Sequence, residues 1–72
     1  MSCIIDSVAQ DPHFEELSQE LFGNRLRAYY LIGYVTAHFT EDEEKRIIEQ
    51  YKQNPTTALR ALDTLITSEE IA

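Results

Sequence analysis

Residues 26–66 read LRAYYLIGYVTAHFTEDEEKRIIEQYKQNPTTALRALDTLI, and this stretch decides the fold. Its first third, Leu26 to Phe39, is apolar or aromatic at nearly every position: Leu26, Ala28, Tyr29, Tyr30, Leu31, Ile32, Tyr34, Val35, Ala37 and Phe39. Strand alternation is absent and no second strand exists to pair with, so the segment reads as a helix covered on most sides. Thr40-Glu41-Asp42-Glu43 has the capping-box pattern, in which the Thr40 hydroxyl accepts from the Glu43 N–H while the Glu43 carboxylate reaches back. A helix starts there, with Ile47, Ile48 and Tyr51 on its inner face and Glu44, Lys45, Glu49 and Lys52 toward solvent. Gln53-Asn54-Pro55 ends it. Asn54 caps the next helix with Pro55 in its first turn, and Ala58, Leu59, Leu62, Leu65 and Ile66 recur at helical spacing. Ser68, ahead of Glu69 and Glu70, offers a start for one last turn.

Upstream, Asp11-Pro12 marks another start, Asp11 as N-cap and Pro12 at the first helical position, with Glu15 and Glu16 near the positive end of the dipole. Phe14, Leu17, Leu21 and Phe22 form the apolar stripe, and Gly23 can take the positive φ of a helix end. Asn24 caps the next helix, leaving a turn of about two residues. Cys3, Ile4, Ile5, Val8 and Ala9 follow helical spacing and predict a short N-terminal helix. The expected architecture is all-α, a single compact bundle of four main helices over residues 1–72 preceded by that short one.

Composition narrows what such a bundle can do. The 72 residues allow one modest core. Cys3 is the only cysteine, so there is no internal disulfide, and no His and Cys set has zinc spacing. The formal charge of −7, from 13 acidic and 6 basic residues, disfavours direct contact with nucleic acid. No apolar run approaches the roughly 20 residues of a membrane span, and Met1 to Ile5 lacks the length and charge of a secretory signal. A reducing, cytoplasmic setting is the expectation.

Individual side chains give no catalytic constellation. Cys3 has no basic neighbour in sequence to activate it. His13 and Glu16 share a helix face, but further metal ligands are not evident. His38 sits at a helix end, where it meets the negative dipole terminus. No cofactor is expected, and the chain is read as non-enzymatic. A surface is the better candidate. Tyr29 and Tyr30 point about 100° apart, which makes it hard to bury both, so one of them is expected at an interface. The acids Glu41, Asp42, Glu43 and Glu44 exceed what capping requires, while Arg25 and Arg27 stand where cations oppose the dipole. With Arg60 on the polar side of the last main helix, those arginines form a basic patch complementary to the acids of another copy.

The order Tyr30-Leu31-Ile32-Gly33-Tyr34-Val35, Thr40-Glu41-Asp42-Glu43-Glu44 and Ala58-Leu59-Arg60-Ala61-Leu62-Asp63-Thr64-Leu65 resembles the central helices of caspase recruitment domains, particularly those of RNA-sensing helicases and their adaptor. The likeness covers roughly residues 14–66. It implies a death-fold bundle that associates with like domains through oppositely charged helical faces. By that likeness the chain ends where the family's fifth helix should begin and carries no sixth. The leading expectation is therefore a module that binds a helical protein partner or itself, as a homo-oligomer. Two alternatives come from other classes: an acidic inhibitor that mimics nucleic acid and occupies a basic groove, and a ubiquitin-binding module, since Asn54 through Leu65 is similar to the last helix of ubiquitin-associated domains.

Overall fold

A computed structural model describes residues 5–71 as an all-α bundle, with no strand among them. Its helices are α1 (Asp6–Ala9), α2 (Phe14–Phe22), α3 (Arg27–His38), α4 (Glu41–Gln53) and α5 (Pro55–Ile71). Four are substantial and the first is a single turn. Cys3 and Ile4, expected in that first helix, lie outside the described residues; Ile5 and Val8 are buried and tie α1 to the core.

Two of the helix starts fall later than their capping residues suggest, and for one reason. Asp11 Oδ1 accepts the His13 N–H at 2.9 Å, and the Phe14 N–H donates to the Asp11 carbonyl at 3.0 Å, so a tight three-residue turn precedes the first α-helical bond, from Leu17 N–H to the His13 carbonyl. Asn24 repeats the device: Oδ1 accepts from the Leu26 N–H at 2.8 Å, and Arg27 N–H donates to the Asn24 carbonyl. The N-cap positions are therefore His13 and Leu26 rather than the expected Asp11, with Pro12 at the first helical position, and Asn24: the opening turn is 3₁₀-like and α-helix begins three residues on. The α2–α3 turn is accordingly longer than the two residues expected. Gly23, at φ 67°, supplies the left-handed residue that ends α2.

The other boundaries follow their signals. The Thr40 capping box is complete, with Thr40 N–H donating to Glu43 Oε1 at 2.8 Å and Glu43 N–H to Thr40 Oγ1 at 3.2 Å. Asn54 Oδ1 accepts from Thr57 N–H at 3.2 Å and starts α5. Ser68 does not open a separate turn; α5 runs through it to Ile71, which is exposed.

Ile5, Val8, Phe14, Leu31, Ile32, Val35, Leu59, Leu62 and Ile66 form the centre of the core, with Tyr51 and the small Ala28 and Ala58 closing it. The α4 and α5 helices make the most extensive pairing, and α3 packs on α1, α2 and α5. Contacts from α3 to α5 keep a nearly constant offset, Arg27 to Asp63 and Thr67, Tyr34 to Glu69, so these two helices run in the same direction.

Candidate interaction surface

A helix that is apolar nearly all round need not be covered all round. In α3 only the face carrying Ala28, Leu31, Ile32 and Val35 is buried, against the expectation of a helix covered on most sides. At about 100° per residue, Leu26, Tyr29, Tyr30, Gly33 and Ala37 fall within one strip on the opposite side. All five are exposed, Leu26 by 67%, Tyr30 by 44% and Tyr29 by 36%. The strip contains no charge. What let it escape the core is size and chemistry: Gly33 and Ala37 offer little to bury, and the tyrosines carry hydroxyls.

Neither Tyr29 nor Tyr30 is buried, so both rings, where one was expected, are accessible on the surface. Tyr29 sets its ring edge-on to the fully buried Phe14 at 4.9 Å. Tyr30 stacks under the Arg27 guanidinium at 4.9 Å, and its hydroxyl is hydrogen-bonded to Glu70, which raises its pKa. One turn on, Tyr34 hydroxyl donates to Glu69 Oε2 at 2.7 Å and is shifted upward for the same reason. Both hydroxyls are thereby held by α5, and Tyr30 remains 44% exposed.

Arg27 leaves the candidate set. Its Nε donates to Asp63 Oδ1 at 2.9 Å and its guanidinium to Thr67 Oγ1 at 3.2 Å, with both charged side chains about two-thirds covered. A cation opposing the helix dipole thus has a structural cause, a tertiary ion pair that sequence spacing cannot show. Glu44 also leaves it, being only 6% exposed. It lies one turn before Ile47 and Ile48 and two before Tyr51, on the inner face of α4, so register rather than charge decides its place. Among the described residues no fully buried side-chain nitrogen or oxygen lacks a hydrogen-bond partner.

The remaining candidates are exposed. Glu41 pairs with Lys45 at 3.6 Å, Asp42 has no ion pair among the described residues, and Glu43 is engaged in the capping box. Arg25, in the turn before α3, and Arg60, on α5, form no ion pair among the described residues. Arg25 and the acids bracket α3, whose 12 residues span about 18 Å. No ion pair joins them within one molecule. His38 lies exposed against the Tyr34 ring at 4.4 Å, and His13 faces Glu16 at 3.5 Å on the surface. Shallow clefts of about 320 Å³, where Glu16, Gln19 and Glu20 of α2 line the same hollow as Arg25, of about 270 Å³ beside the Asp11–Tyr51 contact, and of about 100 Å³ between α4 and α5 mark the surface.

Sequence reading missed Ser18. It is wholly buried in α2, accepts the Ala28 N–H at 3.0 Å and donates to the Asn24 carbonyl. Ser18 thereby caps α3 from ten residues upstream, where Leu26 has no side-chain acceptor to offer. Its position four residues after Phe14, inside the apolar stripe, was the available signal.

No family model, curated protein or solved structure matches the chain.

Proposed function

We propose that this chain is a non-enzymatic protein-interaction module whose working surface is the outer face of α3. The observation that carries this reading is the uncharged strip of Leu26, Tyr29, Tyr30, Gly33 and Ala37, exposed along a whole helix and bracketed by Arg25 at one end and by Glu41 and Asp42 at the other. Aromatic and aliphatic side chains at the centre of a patch with charges at its rim are the composition of binding surfaces. The apolar strip supplies affinity, and the flanking charges supply register and encounter rate. A helical protein or a second copy of the chain satisfies both.

The two alternatives receive less support. A nucleic-acid mimic needs a continuous face of free carboxylates, whereas Asp11, Asp63, Glu69 and Glu70 are each tied to a partner inside the fold and Glu44 is buried. A ubiquitin-type contact through Leu62 and Leu65 keeps only Leu65, because Leu62 belongs to the core.

The test compares the immobilised chain with its Leu26→Lys/Tyr30→Lys variant for retention of proteins from the native source and of the chain itself. Both side chains are exposed, so circular dichroism should report an unchanged fold. Loss of retained protein in the variant supports the reading; equal retention by both refutes it.

A further inference from the structure

We propose that the outer face of α3 pairs with the same face of a second copy, antiparallel across a two-fold axis at Gly33. The inference rests on the interaction-module reading and names the partner. It follows from how the strip is ordered along the chain. In an antiparallel helix pair centred on Gly33, residues equally far before and after it face each other across the axis. Arg25 precedes the N-terminal end of α3, and Glu41 and Asp42 follow its C-terminal end at the start of α4, so antiparallel pairing brings each copy's arginine to the end of the helix that carries the other copy's acids. Tyr29 stands four before and Ala37 four after, so a large ring lies over a small methyl on each side. At the axis itself two glycines meet, where the absence of a side chain allows close backbone approach.

For the glycine the monomer gives no other reason. A Cβ added at Gly33 would meet nothing within 4 Å, and its φ is not in the left-handed region, so neither packing nor backbone conformation requires glycine in the middle of α3. Glycine there costs the isolated helix stability relative to any other ordinary residue. Arg25 has no ion pair among the described residues and sits where the α3 dipole disfavours a cation. In the pair both are explained: the helix dipoles run opposite ways, and four charged segments meet as two complementary contacts. Two-fold closure uses one self-complementary patch and leaves no open end. A face one helix wide falls below the roughly 1,200 Å² of standard interfaces, so the dimer is expected to be weak, with a dissociation constant on the order of micromolar or above.

Sedimentation velocity of the full chain from about 10 µM to about 1 mM, bracketing that range, tests this directly. The wild type should pass from monomer to dimer. Gly33→Gln should remain monomeric throughout while its helicity is unchanged or increased, which separates loss of pairing from loss of fold. Arg25→Glu should weaken the dimer at least tenfold, Arg25→Glu/Glu41→Arg should restore it, and Arg60→Glu, with the same charge change placed elsewhere, should leave it intact. A wild type that stays monomeric at every concentration, or a Gly33→Gln variant that dimerises like wild type, overturns the proposal. In either case continued loss of captured protein by Leu26→Lys/Tyr30→Lys would keep the module reading and remove only the self-pairing.

Discussion

Ser18→Ala is the perturbation whose cost can be worked most directly from the structure. The Ala28 N–H is the second of α3, one of the helix-start donors that have no acceptor within their own helix. Ser18 Oγ accepts it at 3.0 Å and passes its own proton to the Asn24 carbonyl, and Ser18 and Ala28 are both fully buried. Removing the hydroxyl leaves a cavity smaller than a methyl group, so the transfer and cavity penalties are small. It also strands a buried donor, a loss of about 1 to 3 kcal/mol. For a domain of this size each kcal/mol moves the midpoint by roughly 4 to 8 °C, so the middle of that range predicts a fall of about 8 to 16 °C. Thermal unfolding followed by far-ultraviolet circular dichroism, at one fixed low concentration so that association does not shift the midpoint, reads it. Ser68→Ala, at an exposed site, serves as control. A midpoint within about 2 °C of wild type would refute the bridging role, since that corresponds to well under 1 kcal/mol.

Tyr51, buried and hydrogen-bonded to Asp11 at 3.2 Å, has its pKa pushed up to about 12 by burial and by the Asp11 charge. The unfolded chain then releases this proton before the folded one does, so the contribution is intact below pH 10 and is lost between pH 10 and about 12. Urea midpoints across that range should fall for wild type, and the fall should be smaller in Tyr51→Phe; identical slopes would contradict the assignment. Arg27→Met and Asp63→Asn should each cost about 1 to 2 kcal/mol, with a coupling near 1 kcal/mol in the double-mutant cycle, between the values for exposed and buried pairs. A coupling of zero would mean that the 2.9 Å contact contributes nothing to the fold. Thr40→Ala should lower stability by about 1 kcal/mol through loss of the capping box, and Thr40→Ser should recover most of it.

What the sequence made legible was what is local. A capping box, a proline after Asn54 and a glycine after Phe22 each act within one turn, and the helix ends they mark are where the structure puts them. Asp11 and Asn24 each close an Asx turn ahead of the helix instead of capping it, so the start of regular helix falls three residues later than their residue types suggest. Faces were harder, because they depend on what packs against them. Glu44 reads as one more acid in a charged run, yet its spacing to Ile47, Ile48 and Tyr51 carries it inside. Leu65 shares the spacing of the α5 core residues and lies 46% exposed. Arg27 looked misplaced because its reason, Asp63, is 36 residues away in the chain. Composition also overstated the burial of α3: ten apolar or aromatic residues suggested a covered helix, and one of its faces is left bare. That residue of the reading, the part of α3 that sequence says should be covered and the folded chain does not cover, is where the candidate surface lies.

On the proposed reading this bare face makes contact with a protein, and with a second copy in particular. Amide chemical shifts recorded as the chain is concentrated test it residue by residue, and Gly33, one of only two glycines, is a readily identified reporter. Pairing through this face should give concentration-dependent shifts at Leu26, Tyr29, Tyr30, Gly33 and Ala37, together with Arg25 and Glu41, while Thr64 and Gly23 stay fixed. Shifts confined to α4 and α5, or none along α3 up to about 1 mM, would contradict it.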